Sequence, residues 1–157
     1  MSTVTNITTL NQLVGNLRDI ADLHQQIHGF NYGEPWEFYQ SGVTNSPEMW
    51  VTCEGVTREG SKVSTFNMRV YIVDNVKRGE LNELEVESDL IQIAEDIIAQ
   101  LRHHSYGWNL PRTDNISISV RTERTPKMLT AVEFALTIRV PKPDNRCAIS
   151  FTTNPLS

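Results

Sequence analysis

Cysteine is nearly missing from this 157-residue chain, with Cys53 and Cys147 its two copies. Two thiols are too few for a disulfide framework or a thiolate zinc site, which points to a reducing compartment. Excess positive charge is missing too: 14 Lys and Arg stand against 19 Asp and Glu, a formal net charge of −5. Binding nucleic acid by counterion release needs clustered cations, which this composition does not supply. No apolar run approaches the ~18 residues of a membrane-spanning helix. Met1–Thr9 is rich in Thr and lacks both a basic and an apolar segment, so no secretory signal is expected. Catalytic signatures are equally scarce. The chain has no Gly-x-Ser-x-Gly elbow, no phosphate-binding glycine loop and no dinucleotide-binding turn.

What remains is the composition of a globular domain, 39% hydrophobic and 21% charged. The length suits one domain. Its expected extent is 9–143, with a polar arm at 1–8 and a polar tail at 144–157 that carries Ile149 and Phe151 as anchors.

Periodicity predicts the elements. Leu10, Leu13, Val14, Leu17, Ile20, Ala21 and Ile27 recur at helical spacing, after Thr8 or Thr9 as a cap, so a one-sided helix is expected up to about Gly29. Residues 29–35 hold two glycines and a proline and read as a loop; Trp36–Gln40 reads as a short strand. Asn45-Ser46-Pro47 reads as a turn. Met49, Val51 and Cys53 alternate with polar or aromatic neighbours. So do Phe66, Met68, Val70 and Ile72, and a polar link at 57–62 makes the two strands a hairpin. A second helix follows, with Asn82 and Glu85 as a capping pair and acidic residues from Glu80 onward in its early turns. Its apolar set, Val86, Leu90, Ile91, Ile93, Ala94, Ile97, Ile98 and Leu101, makes a wider stripe than one sheet face needs. A loop with Tyr106 and Trp108 leads to strands at Ile116–Arg121 and Ala131–Val140. The expected class is α+β: a mostly antiparallel sheet of about five strands packed by two amphipathic helices, in the order α-β-β-β-α-β-β.

Few residues suggest chemistry. His24 and His28, spaced i, i+4 on the first helix, share a face and could chelate, but burial with a hydrogen bond is the commoner fate of such a histidine. Adjacent His103 and His104 point apart on a helix and suit its C-terminal charge. Cys53 reads as a small core residue. The acidic run Glu80–Asp96 lies on a helix, which is unsuited to a calcium loop; it reads as a solvated face or as a surface that faces a basic partner or repels DNA. The wide stripe of the second helix has two explanations: cover from both the sheet and the first helix, or closure against a neighbouring subunit. The sequence therefore predicts a non-enzyme with no catalytic, cofactor or metal residues. Its candidate interface residues are Arg58, Lys62, Glu83, Glu87, Leu90, Ile93, Ile97 and Trp108.

Four segments carry a resemblance: IADLHQQIHGFNYGEPWEF, FNMRVYIVDNV, NELEVESDLIQIAEDIIAQLR and EFALTIRVP with NRCAI. Over roughly residues 18–150 the chain resembles the tail-terminator and neck (head–tail connector) structural proteins of tailed bacteriophages. The resemblance implies a virion protein, assembled in the host cytoplasm, that forms a ring, commonly a hexamer. Such a ring stops the tail tube and joins it to the neck. The implied partners are further copies of the chain, the tail tube protein and the connector proteins. DNA would pass through the lumen without specific binding, and no membrane is involved. The hairpin tip Arg58–Lys62 and the termini would order on docking. The alternatives are another neck ring or adaptor, or a small cytosolic α+β ligand-binding domain with a polar pocket that gathers His24, Cys53 or the second helix's carboxylates.

Overall fold

A computed structural model describes residues 9–43, 46–75, 83–103, 108, 110, 115–123 and 129–144, the side chains of Ser41 and Glu123 excepted. The expectations for the 1–8 arm, Asn45, Glu80, Asn82, His104, Tyr106, Cys147, Ile149 and Phe151 fall outside those residues. The elements are α1 (Leu10–Leu23), β1 (Gly29–Tyr32), α2 (Pro35–Ser41), β2 (Glu48–Glu59), β3 (Val63–Asn75), α3 (Glu83–His103), β4 (Ser119–Glu123) and β5 (Leu129–Pro141). The five strands form one sheet in the order β1-β2-β3-β5-β4. Every pairing is antiparallel except β1 with β2. The fold is α+β, with helices over a mostly antiparallel sheet.

Two expectations change near the start of the chain. Trp36–Gln40 is helical, not extended. Pro35 sits in the first turn, where its fixed φ and missing N–H cost nothing, and Glu37 accepts the Glu34 backbone N–H at 3.4 Å. Gly42, at φ 74°, ends α2 while its N–H bonds the Phe38 carbonyl at 2.8 Å. The strand lies earlier, at 29–32, in the segment expected to be loop. Because α2 lies between them, β1 and β2 can run parallel, which a tight hairpin would forbid.

Helix α1 begins at the expected cap. The Thr9 hydroxyl accepts the Gln12 N–H at 3.3 Å and the Gln12 side chain accepts the Thr9 N–H at 3.0 Å. It ends at Leu23, short of Gly29, so His24 and His28 do not share a helix.

One face of the sheet and the inner sides of α1 and α3 enclose the main core. Leu13, Leu17, Leu90, Ile93 and Ile97 meet Met49, Met68, Val70, Phe134 and Ile138 there. At roughly 25 cal/mol per Å2 of apolar surface, this burial is the main stabilising term. α3 packs on β3, β5 and α1. Its apolar set is buried apart from half-buried Ile91. The wide stripe is therefore explained by cover from the sheet and the first helix. On the opposite face α2 builds a smaller core: Phe38 packs on Trp50 (centroids 5.2 Å apart), Tyr71 (5.5 Å) and Tyr39 (4.6 Å), over Val73, Leu129 and Ala131.

A bulge between Cys53 and Gly55 shifts the β2 register. Inward positions are odd-numbered up to Cys53 and even-numbered from Val56 onward, so Val56 opposes Phe66 and Arg58 opposes Ser64 on the helix side. β4 begins at Ser119, later than expected; Ile116 and Ile118 precede it, half-buried against the main core.

Candidate functional site

The expected interface residues separate into two groups. Leu90, Ile93, Ile97 and Trp108 are buried in the chain's own core, which leaves them no surface for a partner. That corrects their assignment: their apolar character serves folding. Arg58, Lys62, Glu83 and Glu87 lie near the surface. Arg58 bonds Ser64 Oγ at 3.1 Å and the Ser61 carbonyl at 3.0 Å, and it pairs with Asp144. Lys142 N–H bonds the Lys62 carbonyl at 2.7 Å, and Asp144 N–H bonds the Ser61 carbonyl at 2.8 Å. The β2–β3 tip is thus fastened to the segment after β5, where the sequence suggested a free tip. Glu87 accepts a bond from Thr122 Oγ1 at 3.5 Å, which sets the first turns of α3 beside β4.

The histidines do not make a metal centre, and among the described residues no three His, Cys, Asp or Glu side chains could hold an ion. His24 instead bridges two helices. The Gln26 N–H donates to its Nδ1 at 3.1 Å, so the ring proton sits on Nε2, which donates to Asp96 Oδ2 at 2.9 Å. Both ring nitrogens are engaged, so no lone pair remains to take a substrate proton. The His24 bond, followed by that from Gln92 (3.0 Å), lowers the Asp96 pKa from its ordinary value. His28 Nδ1 meets the Ser46 carbonyl at 3.0 Å. Cys53 stands apart from this pair; its thiol donates to the Gly55 carbonyl at 3.7 Å.

The part of the sheet face that α2 leaves open carries charge in alternation. Glu54 on β2, Arg69 on β3, Glu133 on β5 and Arg121 on β4 form a row across four strands, with contacts of 3.1, 3.6 and 3.0 Å. Arg139 meets Glu59 at 3.2 Å. The signs cancel along this face. Tyr71 stands beside it, its hydroxyl pKa pushed up to about 12, first by burial and then by the Glu133 charge. The outer surface of α3, by contrast, exposes Glu85, Asp89 and Glu95.

Most of the exposed large apolar side chains described lie toward one or other end of the strand order; Val56, on β2 beyond the bulge, is the exception. Near β1 lie Tyr32, Trp36 (60% exposed) and Leu23. At the other end lie Val120 on β4 and Leu84 (78% exposed) in the first turn of α3. Beside β1, the flank of α1 bounds an open groove of about 450 Å3 lined by Leu10, Asn11, Val14, Arg18 and Tyr32. Arg18 lies over the Phe30 ring, 5.2 Å from its centroid, and among the described residues it makes no ion pair. The sequence reading missed this groove. The α1 stripe names the residues facing the core, but the flank becomes a groove only once β1 forms beside it.

No protein-family model matches the chain, and no curated protein matches it. Among the described residues no helix is long and apolar enough to cross a membrane.

Proposed function

We propose that this chain is a virion structural protein that forms a ring at the head–tail junction of a tailed phage, ending the tail tube and joining it to the neck. The mechanism is assembly. One observation carries the reading: the sheet ends in two unlike edges, β1 and β4, each beside exposed apolar side chains. A contact between unlike edges of neighbouring copies is heterologous, and heterologous contacts close into rings when the rotation permits. Isolated edges with such side chains are otherwise an aggregation hazard, so a partner that covers them is physically sensible. The acidic outer surface of α3 suits a channel through which DNA slides without sticking. The resemblance in the four segments quoted above supplies the place in the particle.

The direct test adds the purified chain, carrying a gold label, to its phage's tail tube protein during polymerisation. Labels confined to one end of tubes that stop growing are expected. Labels scattered along the tubes, or none bound, would overturn the assignment.

A further inference from the structure

We infer that the α1–β1 groove is the socket for Leu84 of a second copy of this chain, with Arg18 pairing with one of the two carboxylates that flank that leucine. The inference deepens the assembly reading and rests on it, because it names which surfaces meet.

The groove's lining includes the apolar Leu10 and Val14 and one cation, Arg18, which makes no ion pair among the described residues. Stacking over Phe30 holds its guanidinium near the ring and leaves its N–H donors for an incoming carboxylate. The knob is the most exposed of the large apolar side chains described. Leu84 stands 78% exposed in the first turn of α3, flanked in sequence by Glu83 and Glu85. Successive side chains on a helix point about 100° apart, so one of the two carboxylates meets the arginine when the leucine enters the groove.

The placement within the fold agrees. α1 and α3 lie on the same face of the sheet, because residues from both helices share one core with it. The groove adjoins β1, at one end of the strand order. The start of α3 lies beside β4, at the other end, through the Thr122–Glu87 bond. When the β4 edge of one copy approaches the β1 edge of the next, its α3 start and the neighbour's α1 flank arrive on the same side. Knob and socket lie at opposite ends of the sheet, so the contact is heterologous and leaves a free knob and a free socket for further copies.

The experiment is sedimentation of the full chain and three variants across a concentration series. Leu84→Ser is expected to weaken self-association by roughly tenfold to a hundredfold, the range for losing one buried leucine. Its thermal midpoint is expected to match the parent's, since Leu84 contributes almost nothing to the core. Arg18→Glu is expected to dissociate the assembly. Adding Glu83→Arg and Glu85→Arg to it is expected to restore association. If the parent associates and all three variants associate equally, the socket is wrong while the assembly reading stands. Failure of the charge reversal to restore association also overturns the pairing. A parent that stays monomeric throughout the series overturns both.

Discussion

At the scale of single residues, the polar groups that looked most like chemistry turn out to hold elements together. His24 caps the end of α1 and bonds Asp96 on α3 through a ring whose two nitrogens are both engaged. The depressed Asp96 pKa fixes the sign of a pH effect. Its contribution to stability is present above the unfolded aspartate value near ~3.9 and is lost as the pH falls through the lower folded value. Asp96→Asn is expected to lower the thermal midpoint at neutral pH slightly, by at most about 1 kcal/mol for so exposed a pair, and the gap from the parent is expected to close in acid. Calorimetry from neutral pH down to the acid limb checks both. A gap that persists unchanged at the lowest pH would remove the His24–Asp96 bond as its cause. Tyr71 gives the opposite sign: its raised pKa means stability that is full below pH 10 and is lost as the pH rises toward about 12. In Glu133→Gln the tyrosinate absorbance is expected to appear at lower pH but still above 10, because burial is the larger cause and Glu133 the smaller. A midpoint that does not move would show that Glu133 does not act on Tyr71.

At the scale of elements, α3 decides between folding and docking as the purpose of its apolar stripe. Ile97 is 1% exposed and packs within the main core. Ile97→Ala is expected to destabilise the chain by about 2–5 kcal/mol, read as a shift in the denaturant midpoint. A variant that kept its midpoint but lost partner binding would return Ile97 to an interface. The same element shows what a linear sequence carries and what it omits. Alternation in Met49–Cys53, Phe66–Ile72 and Val132–Val140 reports the sheet because one face is covered by helices, and the Leu10–Ile20 and Val86–Leu101 spacings report those helices. The width of the α3 stripe shows that two surfaces cover it, but not that both belong to the same chain. α2 was not legible because Trp36, Phe38 and Tyr39 favour strands, while the neighbours that decide otherwise, Pro35 and Gly42, act through backbone geometry. β1 was hidden for a related reason: glycines at 29 and 33 signal a turn, yet the four residues Gly29–Tyr32 suffice to pair with β2. Of the candidate site, the charged members at 58, 62, 83 and 87 could be placed near the surface from patterning, whereas the groove beside Arg18 depends on long-range packing that no local pattern encodes.

At the scale of the whole molecule, two cores lie on opposite faces of one sheet, and among the described residues its two ends carry exposed apolar side chains. The charges on the open face are already paired with one another, so that face has little to gain from a partner. The ends differ: unlike edges, exposed Trp36 and Tyr32 near one, Val120 and Leu84 near the other. Under the proposed assembly function, a subunit built this way completes its surface by meeting its own copies. Native mass spectrometry of the purified chain tests that claim most directly. The account predicts a single closed oligomer, a hexamer by the resemblance, in equilibrium with the monomer. A monomer at every concentration, with no oligomer formed, would contradict it.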